Sequence, residues 1–227
     1  MRELLTMAFG PTADNFGDWR LWVLVAVAVL WSGAVHELGH AWMADRLGDK
    51  GPREAGRLSL NPLRHIDPLG TLVMLVTLAA GFPLGWGKPV KTNPDAFCCG
   101  KRAGMAWVGA AGPLANLLLA GLLSLPVRWY LNGPGADLGP LAGYAALLLV
   151  MTIGISVSQF AFNLVPVHPM DMSHVVAAAL PRKAGDAYVA FMERYGVYVF
   201  VAVMWSGLAG KVLVPVIVAV FRWLIGL

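Results

Sequence analysis

Residues 21–44, LWVLVAVAVLWSGAVHELGHAWMA, decide the fold. Between Arg20 and Asp45 the only charged or titrating residues are His36, Glu37 and His40. The run is long enough to cross the roughly 30 Å hydrocarbon core of a bilayer as one helix. At 1.5 Å per residue, His36 lies about 24 Å along the axis from Arg20, so the polar triplet sits near the far end.

Composition extends this reading to the whole chain. Of 227 residues, 58% are hydrophobic and only 13% charged, with a mean hydropathy of +0.65. Soluble domains carry about 25% charged residues, so this chain cannot coat a soluble globule. The uncharged runs Leu69–Gly87, Ala103–Val127 and Leu138–Met170 each reach the ~18 residues of a spanning helix. The expected class is an all-α polytopic membrane protein forming a single domain, with about four to six transmembrane or membrane-inserted helices. A soluble enzyme, a disordered tail and a collagen-like fibre are excluded. The net charge of +4 and the pI near 9.3 would suit nucleic acid in a soluble protein. Here the basic residues lie in short loops between apolar runs, so they report topology and argue against a nucleic-acid partner. Cys98 and Cys99 are adjacent and close no crosslinked framework. The stretch before Trp19 reads as an uncleaved lead-in.

Loop charges orient the spans. Asp45–Asp67 holds five Lys/Arg, Gly87–Arg102 four and Asn163–Tyr195 three, against one, Arg128, in Arg128–Pro140. The positive-inside rule places the first three in the cytoplasm and the last outside. It follows that Met1 is outside, and that His36 and Asp171 lie toward the cytoplasmic side. Leu69–Gly87 has both flanks inside and is punctuated by Gly81, Pro83 and Gly85, which predicts a partly inserted element. Gly196–Leu227, interrupted by Gly207, Gly210, Lys211 and Pro215, is either one kinked span or two helices.

His36-Glu37-Leu38-Gly39-His40 is a His-Glu-x-x-His motif on a helix. Positions four apart differ by about 40° of rotation, so both imidazoles face one metal while Glu37 is turned aside, where a general base belongs. With five His in 227 residues, the pattern arises by accident roughly twice in a thousand such chains. A catalytic zinc takes three protein ligands. Asp171, which ends a long charge-free run, is the best third ligand, because a buried carboxylate needs a partner. His168 and His174 compete for the role. Asn116, in Gly112-Pro113-Leu114-Ala115-Asn116, and Asn163, before Pro166, interrupt apolar spans. They either bond between helices or line a wet pocket and bind a substrate carbonyl.

At this point the chain resembles a known family. The His36–His40 motif, Leu60-Asn61-Pro62 through Asp67-Pro68, Gly85-Trp86-Gly87-Lys88-Pro89-Val90, Gly112–Asn116, and Asn163-Leu164-Val165-Pro166 ending at Asp171 are together similar to the site-2 proteases, intramembrane zinc metalloproteases. The resemblance covers roughly residues 31–196. It implies that His36, His40 and Asp171 hold Zn2+, that Glu37 is the catalytic base, and that Asn116 and Asn163 lie near the site. It also implies a protease that cuts transmembrane segments of other proteins, in a minimal form without PDZ or C-terminal regulatory domains, in a bacterial-type inner membrane. Around its aspartate the family usually has Pro-Pro-Leu-Asp-Gly, where this chain has His168-Pro169-Met170-Asp171-Met172.

A metal transporter could use the same ligands, but it needs no base beside them. A catalytically silent scaffold needs neither. The alternating pieces Gly56–Leu60 and Lys88–Thr92 further predict a small membrane-associated β element whose free edge accepts an unwound substrate strand.

Overall fold

The computed structural model describes residues 8, 17–79, 87–132 and 139–227, and its architecture is a helical bundle. Helix α1 (Trp19–Arg46) starts where Asp18 Oδ1 accepts from Arg20 N at 2.9 Å, a side-chain cap for an otherwise unpaired backbone donor. It is followed by α2 (Pro68–Ala79), α3 (Lys101–Asn132), α4 (Pro140–Asn163), α5 (Met172–Ala179), α6 (Arg182–Trp205) and α7 (Leu208–Ile225). Five of these, α1, α3, α4, α6 and α7, are long and apolar enough to cross a membrane. The all-α polytopic class therefore holds.

Helix α3 is central and packs on α1, α4, α5 and α7. Leu21, Val25, Ala28 and Ser32 recur at helical spacing and form the buried face of α1, where the apolar members meet Met151 of α4. Val23, Val27, Trp31 and Trp42 stay exposed around the same helix. A helix apolar on every side is what a lipid solvent demands. A second cluster joins Ala120 and Val127 of α3 to Val150, Ile153 and Val157 of α4 and to Ile217 and Phe221 of α7. Small residues set the closest approach: a Cβ on Gly39 would lie 2.6 Å from the Ala111 carbonyl oxygen, so only glycine lets α1 and α3 come this near.

Two arginines close helix ends. Arg102 donates to the carbonyls of Leu180, at 2.8 Å, and Ala177, ending α5. Arg128, the lone cation of the loop expected outside, donates to Leu224 O at 2.6 Å and to Trp223 O at the end of α7. Last-turn carbonyls without intrahelical partners are thereby satisfied.

Three segments bear on these expectations. Helix α2 is described over Pro68–Ala79, about 18 Å, the helical length expected within Leu69–Gly87; Gly81, Pro83 and Gly85 lie outside the described residues. The Asn163–Tyr195 segment, expected as a loop, holds α5 and the first half of α6. Arg182, Lys183, Glu193 and Arg194 end an apolar run but are good helix formers. Gly196–Leu227 contains a helix break at Gly207, whose φ of 70° suits glycine, so two helices occupy the last stretch.

The predicted β element is also corrected. Among the described residues there is no strand, only one antiparallel bridge, Ile66 with Gly87, and Lys88 N–H donating to His65 O at 2.7 Å. Gly56–Leu60 and Lys88–Thr92 are instead linked through the Arg57 guanidinium, which donates to the carbonyls of Arg64 and Lys88. Pro89 has no N–H to offer a ladder, and the arginine takes the acceptor a strand partner would have used.

Candidate metal centre

The helical period of α1 brings His36 and His40 to one face, ring centroids 4.6 Å apart and edge to face. Opposite them α3 presents Gly112. A Cβ there would collide with the His40 ring and lie 2.9 Å from His36 Cε1, so the rings occupy space that glycine leaves. Gly109, one turn earlier, admits the Asp171 carbonyl in the same way, at 2.8 Å from its would-be Cβ. Asp171 arrives on the turn after α4. Asn163 braces that turn, its Nδ2 donating to Gln159 O at 2.9 Å and its Oδ1 accepting from Asp171 N at 3.4 Å.

The three side chains meet at a point. Asp171 Oδ2 lies 3.0 Å from His36 Nε2 and 3.4 Å from His40 Nε2, and the two nitrogens are 3.0 Å apart. Ligands at ~2.0–2.1 Å from a tetrahedral zinc stand about 3.3 Å from one another, so the triangle matches one face of that coordination shell. Two nitrogens and a carboxylate oxygen are the donor types of a catalytic zinc site, which keeps its fourth position open. Asp171 Oδ2 is buried without a hydrogen-bond partner, an acceptor that a cation would satisfy. Burial would push the Asp171 carboxyl up, but the His36 and His40 rings beside it hold it well below the usual carboxylate range. His40 Nδ1–H donates to Val108 O at 2.7 Å, which fixes the tautomer whose Nε2 lone pair faces the metal.

Glu37 stands beside the triangle and is not one of its corners. Its Oε2 accepts from Val90 N at 3.0 Å and lies 3.8 Å from Arg57 Nη2. The Glu37 and Arg57 side chains are only 14% and 7% exposed, so a carboxylate is held by one backbone donor and one buried guanidinium. Val90 N–H is thus occupied, and is not the free edge donor that a strand-accepting site requires.

The sequence candidates divide accordingly. His36, His40 and Asp171 come together, with Glu37 adjacent; His168 and His174 are not part of the cluster and line a cavity of about 80 Å³ with Tyr188 and Glu193. Asn163 braces the Asp171 turn. Asn116 is completely buried, its Nδ2 3.2 Å from His36 Nδ1 and 2.9 Å from Gln159 Oε1, behind the His36 ring. Arg57 and Gln159 were missed. Gln159 is the one carboxamide inside the Leu138–Phe162 run, and Arg57 interrupts an apolar alternation; each signal was visible, but no spacing rule linked it to the motif.

No family model matches the chain and no solved structure matches it. Curated relatives do. The Bacillus subtilis protein named "Putative zinc metalloprotease YwhC" is 32% identical over 196 residues, 85% of each chain. "Putative zinc metalloprotease Rip2" of Mycobacterium tuberculosis is 30% identical over 166 residues, 71% of this chain and 59% of its own. Rip2 of Mycolicibacterium smegmatis is 38% identical over 107 residues. A His-His-Asp triangle with the donor set of zinc, a glutamate held at its side, and this likeness along most of the sequence lead to one conclusion: the chain belongs to the zinc metalloprotease family that includes YwhC.

Proposed function

We propose that the protein is an intramembrane endopeptidase of the site-2 protease kind, hydrolysing peptide bonds in or near transmembrane segments of other membrane proteins. The observation that carries this reading is the position of the donor triangle. Two of its corners lie in α1, a helix of spanning length, and the third is fixed against α3 inside the bundle. A protease built this way meets its substrate in the bilayer. The Lys/Arg-rich segments around the ligands favour a site toward the cytoplasmic face, and the resemblance to site-2 proteases favours a bacterial-type inner membrane.

Zinc held by His36, His40 and Asp171 would act as a Lewis acid on the scissile carbonyl and make water acidic enough to attack near neutral pH. Glu37 accepts the proton from the attacking water and returns it to the leaving amine. Val90 N–H and Arg57 orient the Glu37 carboxylate, and Val108 O orients His40. Asn163 keeps Asp171 on its turn.

The test is Glu37→Gln in protein reconstituted with a single-span membrane substrate. It should still bind one zinc per chain while cleavage falls by ~100-fold or more. Cleavage at the wild-type rate, or transmembrane zinc flux by a wild-type protein that never cuts a membrane span, would overturn the reading.

A further inference from the structure

Behind His36 runs a buried chain of polar side chains. Asn116 Nδ2 lies 3.2 Å from His36 Nδ1 and 2.9 Å from Gln159 Oε1. Ser32 Oγ is 2.7 Å from Gln159 Oε1 and 2.8 Å from Ser156 Oγ. Ser32, Asn116 and Ser156 are completely buried, and Asn116 Oδ1 has no partner. Four polar groups drawn from α1, α3 and α4 therefore end on one ring nitrogen of a metal ligand.

The direction in which hydrogens run along this chain is fixed by chemistry at its end. A neutral imidazole carries one N–H, and zinc at Nε2 requires the lone pair there, so His36 Nδ1 must donate. The group facing Nδ1 must then be an acceptor. For His40 the corresponding partner is the Val108 carbonyl, which can only accept. For His36 it is an amide, whose oxygen and nitrogen exchange by a half-turn about the last side-chain bond.

We infer that Gln159 is a positioning residue: in the zinc-loaded protein its amide N–H groups donate to Asn116 and Ser32, leaving the Asn116 carbonyl to accept from His36 Nδ1–H and hold that ring as a zinc ligand. Every contact along the line then pairs a donor with an acceptor, and the Asn116 amide nitrogen turns to the position where no partner lies. Gln159 gives one hydrogen to Asn116 Oδ1 and one to Ser32 Oγ, and Ser32 gives its own to Ser156 Oγ. The Asn116 oxygen takes two, from His36 and from Gln159. Reversing any one amide would place two donors or two acceptors face to face in a buried site, where an unmet polar group costs about 1–3 kcal/mol. The inference rests on the zinc site itself and not on the identity of the protease substrate.

The readouts are zinc affinity, by competition with a chromophoric chelator in detergent, and 15N spectra of histidine-labelled protein. Asn116→Asp keeps an oxygen that accepts from both neighbours, so it should hold zinc within about threefold of wild type, with His36 Nδ1 protonated in both. Asn116→Leu and Gln159→Leu should each weaken zinc by about 10–100-fold, the usual effect of losing a group that orients a metal ligand. If Asn116→Leu does not fold, Gln159→Leu, which leaves every residue in contact with the metal unchanged, carries the test. Wild-type affinity in Gln159→Leu, a zinc-loaded His36 protonated at Nε2, or loss of zinc in a folded Asn116→Asp would overturn the proposal. Failure of membrane-protein cleavage with these zinc results intact would refute the protease reading alone.

Discussion

Gly112→Ala is the smallest change that should empty the metal centre. The added carbon would lie 2.9 Å from His36 Cε1 and nearer still to the His40 ring. Non-bonded carbons rest about 3.5–4.0 Å apart, so the His36 ring must retreat by at least ~0.6 Å, and the His40 ring by more. A zinc site tolerates about 0.2 Å of error in its ligand distances. His40 has little freedom to comply, because Val108 O anchors its Nδ1 at 2.7 Å and Gly39 is jammed against Ala111. The expected result is a fall in zinc affinity of about 100-fold or more, near 2.7 kcal/mol, with an overpacking cost of ~1–3 kcal/mol in stability. Gly121→Ala on the same helix is the control: nothing lies within 4 Å of its would-be Cβ, so it should leave zinc unchanged. Zinc titration by chelator competition, beside thermal melts in detergent, measures both quantities. A folded Gly112→Ala that binds one zinc within threefold of wild type would refute the claim that glycine makes the room for these rings.

Two further outcomes follow from the site and the loops. Val90→Pro removes the N–H that Glu37 Oε2 accepts, and should lower kcat by about tenfold or more with zinc content unchanged, whereas Val90→Ala keeps that donor and should be mild; equal activity in the two folded variants would show that Glu37 needs no hold from this segment. For topology, the exposed Cys98 and Cys99 are first replaced by Ser, and a single cysteine is then placed at Lys50 or at Gly135, the latter outside the described residues. An impermeant thiol reagent added outside should label the Gly135→Cys protein, and labelling of Lys50→Cys instead would invert the arrangement.

The sequence by itself determined the class of the protein and the chemistry of its centre. An uncharged run has few choices in lipid but to satisfy its backbone internally as a helix, so α1, α3 and α4 were legible from charge spacing alone. The i, i+4 histidines of α1 were equally legible, because both ligands ride on one helix whose period is fixed. Asp171 was found by the cost of a carboxylate after an apolar run, an argument about energy that needs no contact map. The break at Gly207 was left open between two readings, because glycine permits a turn without requiring one.

Only the tertiary structure decided what surrounds those groups. Asn116 read as a polar residue inside a span, and whether it faced substrate or ligand depended on the rotation of α3 against α1 and α4. Arg57 replaced an expected strand pairing because a guanidinium can satisfy two carbonyls from separate segments, which no local alternation encodes. Gln159 joined the site from 123 positions after His36 because α1, α3 and α4 pack on one another, and Asn116 of α3 reaches both His36 and Gln159. Hydrogen-bond partners between helices follow from crossing geometry, and crossing geometry is a property of the packed bundle; the identity of a metal ligand, by contrast, follows from the residue and its place on one helix.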